Sequence, residues 1–428
     1  MTDELVVVLE GEEIGRIDRD SSGRLTLTYA QDHRDSLDRT PLSVSLPRSS
    51  ERHGDRSITP WLWGLLPDND DVLERWGRRF GVSANSPFRL LGTPIGGDCA
   101  GAVQFTSPGA FDSIVDRPGS AEELDERSVA MRLRSLTADS TAWLGSGDAG
   151  RFSLGGAQAK IALHRDDGIW FEAVGSLPTT HILKPAIPGF AGQEINEHLC
   201  LAAATRLGLS AARTVVDRFE DQSAIVVERF DRTWVDATLR RIHQEDLCQA
   251  LGVHPASKYQ SDGGPGPEQI GELLRTAMPP AEGAIAVRRF FDALVFNWLI
   301  VGTDAHAKNY GILMSGRQTR LTPLYDVSSY LPYDDTRGHK VKLAMKIGGD
   351  YRLLRASRRE PWERTASALG LDPTASIERA VDLARRVGAA FEAALDDLDS
   401  AELDPERSGD RLVDMVARRS AVCADDLS

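Results

Sequence analysis

The chain has 428 residues, of which 41% are hydrophobic and 27% are charged, so it is long enough to form two or three lobes with buried cores. The 64 acidic residues outnumber the 50 basic ones, which gives a formal net charge of -14. A surface with this charge repels nucleic acid and anionic lipid, so a protein that binds either of them over its whole surface is excluded. Four widely spaced cysteines without a CxxC pair argue against a disulfide framework and a zinc site. With no signal-peptide pattern and no apolar run long enough to span a bilayer, we expect a soluble, cytoplasmic protein.

The first part of the chain predicts a β-rich domain. Short β-rich runs at 5–9, 14–17 and 25–29 are separated by turn residues at hairpin spacing, which predicts a β-meander. A helix is predicted within DNDDVLERWGRRFG, because acidic residues lie in its first turn, apolar residues recur at helical spacing and a glycine follows. We assign residues 1–110 to this domain and 111–150 to a connector with one helix.

The remaining chain predicts a small antiparallel sheet followed by a helical body. The small lobe, 151–260, has predicted strands at 160–164, 169–173, 180–184 and 223–230 and a helix at 193–207. The helical lobe, 261–403, has predicted helices at 269–276, 282–301, 362–369 and 376–398. We expect the charged tail, 404–428, to fray. The predicted fold class is therefore α+β, with two lobes behind a β-rich domain.

The stretch GTDAHAKN, residues 302–309, carries the most informative chemical pattern. Asp304 and Asn309 have the D-x-x-x-x-N spacing of a phosphoryl-transfer loop, in which the aspartate accepts the proton of the substrate hydroxyl and the asparagine binds magnesium. Asp326 follows a predicted hairpin at 311–321 and is expected to bind the same magnesium ion. Taken singly, these residues also fit a helix cap and a turn. Together with an upstream lysine they favour phosphoryl transfer.

That lysine is Lys184, which ends the predicted strand THILK at the place where a kinase carries its phosphate-pairing lysine. Glu194 and Glu197 lie on the following helix, and either of them could hold the ammonium group, as the helix glutamate does in protein kinases. We favour Glu197. A lysine at the end of a strand is, however, often only solvated.

Two further segments are candidates for nucleotide contacts. SLGGAQAK places Ser153, Gly155, Gly156 and Lys160 in a glycine-rich entry to a strand, where backbone N–H groups can approach phosphate closely. A plain β-turn explains the same residues equally well. The run ERFD, which begins at Glu228, ends the last small-lobe strand where a kinase hinge meets adenine, although a solvated strand edge would look identical.

Hydrolase and zinc chemistry are not indicated. His306 beside the aspartate of the phosphoryl-transfer pattern suggests an acid–base pair, but the chain has no G-x-S-x-G nucleophile elbow. Its nine histidines form neither an H-E-x-x-H motif nor a tight cluster. The pattern therefore favours phosphoryl transfer over either alternative.

Eight sequence blocks in this order resemble the HipA family of serine/threonine kinase toxins from type II toxin–antitoxin systems. They are SLGGAQAK, THILKP, INEHLC, VVERFDR, HQEDLCQALG, KYQSDGGP, TDAHAKNYGIL and LTPLYDVSSY. Three earlier blocks resemble the amino-terminal domain of the same family: PLSVSLP, GLLPDN and SPFRLLGTPIGGDCAGAVQF. The resemblance therefore extends from about residue 41 to residue 351. The resemblance implies a two-lobed fold similar to phosphatidylinositol kinases.

The resemblance also implies site residues and cofactors. It makes Asp304 the catalytic base, Asn309 and Asp326 the magnesium ligands, and Ser153 a serine that the kinase phosphorylates on itself. The implied cofactors are ATP and Mg²⁺. The nucleotide-binding residues that we assign on this basis are Ser153, Gly155, Gly156, Lys160, Lys184, Glu228, Phe230, His306 and Lys308.

The function implied by the resemblance is that of a growth-arresting protein kinase neutralised by an antitoxin. The antitoxin would be a small helix-turn-helix protein, and the chain would contact DNA only through it. The substrate would belong to the translation machinery. Two other functions stay open: a catalytically silent corepressor subunit of a DNA-bound complex, and a kinase for a small molecule. Transfer of the γ-phosphate from labelled ATP separates these possibilities.

Overall fold

The computed structural model describes residues 3–36, 38–111, 119–143, 152–187, 189–236, 238–333, 340–398, 400–404 and 406–428. These residues form a sheet domain followed by a small sheet lobe and a helical lobe. The predicted α+β, two-lobed architecture is therefore confirmed.

The N-terminal domain is a five-stranded antiparallel sheet covered by short helices. The strands are β1 (Glu4–Leu9), β2 (Glu12–Arg19), β3 (Leu25–Tyr29), β4 (Arg52–Gly54) and β5 (Val103–Thr106), in the order β4-β3-β2-β1-β5. The helices are α1 (Gln31–Asp35), α2 (Asp55–Gly64), α3 (Asp70–Phe80) and α4 (Pro87–Leu91). The predicted meander is β1 to β3. The predicted helix is α3, whose first turn is capped by the Asn69 side chain and which ends at Gly81 in the left-handed conformation.

The small lobe is a six-stranded antiparallel sheet with two helices. Its strands are β6 (Ser120–Leu124), β7 (Ile161–Asp166), β8 (Ile169–Val174), β9 (His181–Pro185), β10 (Thr214–Phe219) and β11 (Gln222–Glu228), in the order β10-β11-β9-β7-β8-β6. The helices are α5 (Glu126–Ala138) and α6 (Gln193–Arg206). Two elements of the expected connector belong to this lobe, because β6 pairs with β8 and α5 packs on the sheet.

The chain after β11, which includes the helical lobe, contains short sheets around a central buried helix. Its strands are β12 (Arg232–Val235), β13 (Thr238–Arg241), β14 (His243–Asp246), β15 (Gly311–Ser315), β16 (Gln318–Leu321), β17 (Lys342–Ile347) and β18 (Asp350–Arg352). Its helices are α7 (Leu247–Ala250), α8 (Pro267–Thr276), α9 (Pro280–Leu299), α10 (Arg359–Ala368), α11 (Pro373–Asp396), α12 (Ser400–Leu403) and α13 (Ser408–Leu427). The central helix, α9, ends directly before the phosphoryl-transfer pattern and thus fixes its position.

The C-terminal segment differs from the expectation. Residues 404–428 were expected to fray, but most of them form α13, which packs along α11. Leu412, Val416, Cys423 and Leu427 recur at helical spacing and are buried, while charged residues occupy the other face. The acidic composition concealed this apolar stripe.

Two further observations concern the cysteines and the helices. All four cysteines are buried and free, so the chain has no disulfide framework. Within the described ranges, no helix combines the length and the apolar character needed to cross a bilayer.

Candidate active site

The candidate site lies between the two lobes, around the ammonium group of Lys184. β9 is an inner strand, and it brings Lys184 Nζ to 2.7 Å from Oε1 of Glu197 on α6 and to 2.8 Å from Oδ1 of Asp326. Nothing in the described structure joins Glu194, the alternative partner, to this lysine. Lys184 and Glu197 are buried, whereas the Asp326 side chain is 39% exposed. One carboxylate of this cluster therefore faces the cleft.

The charges of the cluster stabilise one another. The Lys184 ammonium holds the pKa of Asp326 well below its usual range, although burial of the carboxyl opposes this. Burial lowers the pKa of Lys184, but Asp326 and Glu197 outweigh burial and raise it above its ordinary value. Asp326 is thus ionised and Lys184 protonated around neutral pH. Asp326 also has φ +56°, a left-handed conformation that few non-glycine residues adopt and that often marks a functional position.

Asn309 connects the phosphoryl-transfer stretch to the segment of Asp326. Its Nδ2 donates to the carbonyl oxygens of Asp304, at 2.9 Å, and of Asp326, at 3.2 Å. No described residue donates to its Oδ1 or to Oδ2 of Asp326. Both residues therefore keep a free oxygen, and oxygen ligands supplemented by substrate phosphates are what Mg²⁺ prefers. The donor set fits a magnesium ion.

Asp304 is the exposed carboxylate of the cleft, and Tyr259 orients it by donating its O–H to Oδ1. The surrounding protein partly removes water from the Asp304 carboxyl, and this desolvation raises its pKa. The hydrogen bond from Tyr259 acts in the opposite direction. His306 packs edge-on against Tyr259 with ring centroids 4.8 Å apart. Burial and the nearby ammonium of Lys258 lower the pKa of His306 to about 4, so its ring is neutral at pH 7 and forms no ion pair with Asp304.

The glycine-rich segment is held by the N-terminal domain. The N–H of Ser153 donates to the Asp98 carbonyl at 2.8 Å, the Ser153 carbonyl accepts from the N–H of Ala100 at 3.2 Å, and the Ser153 hydroxyl donates to the Leu65 carbonyl at 2.6 Å. Ser153 is consequently fully buried. The segment is more than a plain β-turn, because it pairs with chain that lies outside the kinase-like lobes.

Ammonium groups surround the two glycines of this segment. Lys160 Nζ donates to the Gly155 carbonyl at 2.8 Å, and burial together with the charge of Lys184 lowers the pKa of Lys160 to about 8. A Cβ atom at Gly155 would lie 3.3 Å from Lys308 Nζ, and one at Gly156 would lie 2.8 Å from Lys160 Nζ. Glycine at both positions therefore keeps open the space next to these cations, and Gly156 also has φ +99°.

The candidate hinge lies at the end of β11. Glu228 is exposed, while the ring of Phe230 lies 5.5 Å from that of Tyr325. These two rings pack against a small apolar cluster of Ala212, Ile225 and Val227. Ile182 packs both against this cluster and against the core that the N-terminal domain shares with the small lobe. A flat apolar ring can bind against such a cluster between two lobes.

Charged residues on either side of Phe230 anchor the hinge to the N-terminal domain. Arg229 donates to Asp231 at 2.8 Å and to Asp98 at 3.3 Å, and Arg232 donates to Asp98 at 2.9 Å. We call Asp98, Arg229, Asp231, Arg232 and Arg241 the arginine network. It fixes the position of the hinge backbone.

Sequence reasoning missed three residues of the cleft: Asp68, Lys258 and Tyr259. Asp68 binds Lys308 Nζ at 2.7 Å and Lys258 Nζ at 2.9 Å, and Tyr259 binds Asp304. All three lie in blocks that carry the family resemblance, GLLPDN and KYQSDGGP. The sequence signals that could have indicated them are an acidic residue in a turn, Asp68, and a lysine–tyrosine pair in a glycine-rich loop, Lys258 and Tyr259.

Comparison with known families places both parts of the chain in one group. The HipA N-terminal domain family matches residues 5–106. The HipA-like C-terminal domain family matches residues 152–394, which is more than half of the chain.

Individual relatives agree with this result. Y4mE of Sinorhizobium fredii, named as a kinase, is 35% identical over 96% of this chain and 96% of its own length. The serine/threonine-protein kinase toxin HipA of Shewanella oneidensis is 31% identical over 73% of this chain and 71% of that protein. The solved structure of the Shewanella toxin–antitoxin complex of HipA, HipB and operator DNA matches with a TM-score of 0.83 and 26% identity, over 97% of this chain and 96% of that one.

Proposed function

The chain belongs to the HipA family of kinase toxins, and from this premise we propose that it is an ATP- and magnesium-dependent serine/threonine protein kinase. The observation that carries the proposal is the position of Lys184, held by Glu197 and Asp326 at the cleft that Asp304 faces. A kinase needs this set of groups in one cleft: a phosphate-pairing lysine, its glutamate, a metal-binding aspartate and a base.

Each group of the chain has a distinct part in the proposed reaction. The adenine ring binds between the lobes against Phe230 and its small apolar cluster. Lys184, Lys160 and Lys308 bind the phosphates beside the glycine-rich segment. Asp304, oriented by Tyr259, accepts the proton of the acceptor hydroxyl.

Asn309 and Asp326 would hold the magnesium ion through their free oxygens. The bound metal supplies positive charge that compensates the phosphates of ATP. Asp326 is suited to this part because Lys184 keeps it ionised, and Asn309 because its amide N–H group is already bonded to two carbonyls.

We further propose that phosphorylation of Ser153 by the kinase itself inactivates it. A phosphate carries nearly two negative charges and three acceptor oxygens. Ser153 is fully buried with its hydroxyl bonded to Leu65, so a phosphate requires the glycine-rich segment to leave its place on the N-terminal domain. Ser153→Asp should therefore weaken ATP binding, whereas Ser367→Asp on the exposed face of α10 should not. Unchanged affinity in Ser153→Asp, or phosphopeptide maps without Ser153, would contradict this proposal.

The proposed biological role is that of a growth-arresting toxin in the cytoplasm, with a component of the translation machinery as its substrate. The related Shewanella HipA is solved with HipB and operator DNA, which supports a cognate antitoxin as partner for this chain. With a net charge of -14 the chain alone should bind duplex DNA poorly, and a basic helix-turn-helix partner would supply the phosphate contacts. Binding of promoter DNA by the isolated chain at physiological salt, seen as a gel shift, would contradict the assignment of DNA binding to the partner.

The kinase proposal is tested by mass spectrometry of the protein and its acceptors after incubation with ATP and magnesium, alongside γ-phosphate transfer from labelled ATP. Asp304→Asn should fold normally and lose about a hundredfold to ten-thousandfold in transfer, the range that general-base catalysis contributes. Full transfer by Asp304→Asn would refute the role of this residue. ATP bound without any transfer would favour a silent corepressor, and turnover without a protein acceptor would favour a small-molecule kinase.

A further inference from the structure

Asp68 joins the N-terminal domain to three segments of the candidate active site. It lies between α2 and α3, and its carboxylate binds Lys308 Nζ at 2.7 Å and Lys258 Nζ at 2.9 Å. Its backbone N–H donates to the carbonyl of Gly156 at 3.0 Å. One residue thus contacts the phosphoryl-transfer stretch, the loop of Tyr259 and the glycine-rich segment.

The ion pair of Asp68 and Lys308 is shielded from solvent. The side chain of Asp68 is 12% exposed and that of Lys308 is 6% exposed. Breaking such a pair leaves a buried charge without a partner, which costs much more than breaking a surface pair. The position of the Lys308 ammonium, next to Gly155, therefore depends on the carboxylate of Asp68.

Two roles for Asp68 can be distinguished by bonding capacity. In the first role, which we call a latch, the Asp68 carboxylate occupies the position of an ATP phosphate and has to move away when ATP binds. However, both of its oxygens are already used by lysines, and Lys308 has three N–H donors of which Asp68 takes one. Lys308 can therefore bind phosphate while it remains bound to Asp68, which favours an orienting role.

We propose that Asp68 is a positioning residue of the nucleotide site, which holds Lys308 against the glycine-rich segment so that the N-terminal domain forms part of the kinase centre. This inference rests on the proposed function of the cleft. A lysine side chain has a flexible four-carbon stem, and without its counter-ion Lys308 would turn away from the segment.

Lys308 depends on Asp68 for its orientation. Among the described residues, Asp68 is the only carboxylate bonded to Lys308 Nζ. Removal of the Asp68 charge therefore takes away the one ion pair that holds this ammonium group beside Gly155.

The experiment measures the Kd of Mg·ATP for the full chain by titration calorimetry at pH 7. Asp68→Asn has the same shape without the charge, and we expect affinity to fall about tenfold, the loss of one charge-assisted bond. Asp71→Asn, an exposed acid three residues away, is the matched control and should behave as wild type.

Asp68→Glu keeps the charge on a longer side chain and covers the case in which Asp68→Asn does not fold. We expect it to recover part of the lost affinity and to bind Mg·ATP with a Kd between those of the wild type and Asp68→Asn. Binding by Asp68→Asn that is as tight as wild type, or tighter as a latch would give, overturns the proposal, and so does binding by Asp68→Glu that is no tighter than binding by Asp68→Asn. Because binding is measured without transfer, a wild type that binds Mg·ATP but transfers no phosphate contradicts the kinase function alone.

Discussion

Two groups of buried charges lie on either side of the hinge, and they differ in what they leave free. The cleft cluster consists of Lys184, Glu197 and Asp326, and the arginine network lies behind Phe230. Both contain charge pairs at hydrogen-bond distance. Only the cleft cluster has a partly exposed carboxylate with an oxygen that accepts no bond.

In the arginine network every carboxylate oxygen is used. Oδ1 of Asp98 accepts from Arg232 and Arg241, and Oδ2 accepts from Arg229 and Thr179. Asp231 Oδ2 accepts from the N–H of Gly101 at 2.7 Å, and its other oxygen accepts from Arg229. A satisfied network of this kind fixes a domain junction, whereas the spare oxygen of the cleft cluster is available to a ligand.

The largest effect expected from this comparison is on stability, in the arginine network. Asp98→Asn would leave Arg229 and Arg232 with the single carboxylate of Asp231, and Arg241 with no carboxylate partner among the described residues. Removal of one partner from such a network costs about 3–5 kcal/mol. Denaturant unfolding followed by tryptophan fluorescence measures the loss. A decrease below about 1 kcal/mol would show that the network is not the tie between the domains.

The cleft cluster should give the opposite result. Asp326→Asn leaves Lys184 paired with Glu197, and asparagine tolerates the left-handed conformation, so the unfolding free energy should fall by less than in Asp98→Asn. Phosphoryl transfer should fall about a hundredfold to a thousandfold, as when other preorganised electrostatic groups are removed. Magnesium titrations of ATP binding and steady-state kinetics check this. Retained magnesium dependence would contradict the assignment of Asp326 as a ligand.

Glu245 extends the comparison to a buried carboxyl without a cation. It lies in β14 and accepts bonds from the N–H of Val44 and the indole of Trp61, both in the N-terminal domain. Burial raises its pKa to about 7, so the folded state holds this proton more tightly than the unfolded chain. The stabilisation is present below the ordinary pKa of a glutamate and is lost as pH rises through 7.

Glu245→Gln should remove this pH dependence. Relative to the variant, the wild type should lose about 3 kcal/mol of unfolding free energy between pH 4 and pH 8. Unfolding curves of both proteins across that range measure the difference, in which the titration of other groups cancels. A constant difference would mean that Glu245 has an ordinary pKa.

The smallest effect on the free energy of unfolding should come from an ion pair on the surface whose N–O distance is like that of the buried pairs. Arg364 and Glu360 are one helical turn apart on α10 with a distance of 2.7 Å, but both side chains are largely exposed. Glu360→Gln should cost about 0.3–0.5 kcal/mol, and less at high salt. A cost as large as that of Asp98→Asn would show that distance, and not burial, determines the strength of these pairs.

The parts of the site that are predictable from the sequence depend on local patterns. The strand that carries Lys184, the helix that carries Glu197 and the hairpin before Asp326 follow from apolar periodicity and turn residues. Asp304 and Asn309 are recognisable because their spacing is contained within six residues.

The remaining contacts join distant parts of the chain. Asp68 and Lys308 are 240 residues apart, and Asp98 and Arg229 are 131 residues apart, so no local pattern links them. Periodicity describes one element at a time and does not show which elements meet. The apolar stripe of α13 was hidden for a different reason, since the many charges around it indicated a solvated tail.

The attachment of the glycine-rich segment to the N-terminal domain has a consequence for the order of folding. Ser153 and Gly156 form bridges with Cys99 and Pro67, which precede them in the chain by many residues. Because domains generally fold as units and the N-terminal one emerges from the ribosome first, we expect residues 65–68 and 98–100 to be in place as a template when the segment appears. On the proposed function, a newly made chain would then lack a complete nucleotide site until its first domain has folded, and the cell would be exposed to the polypeptide before it is exposed to its activity.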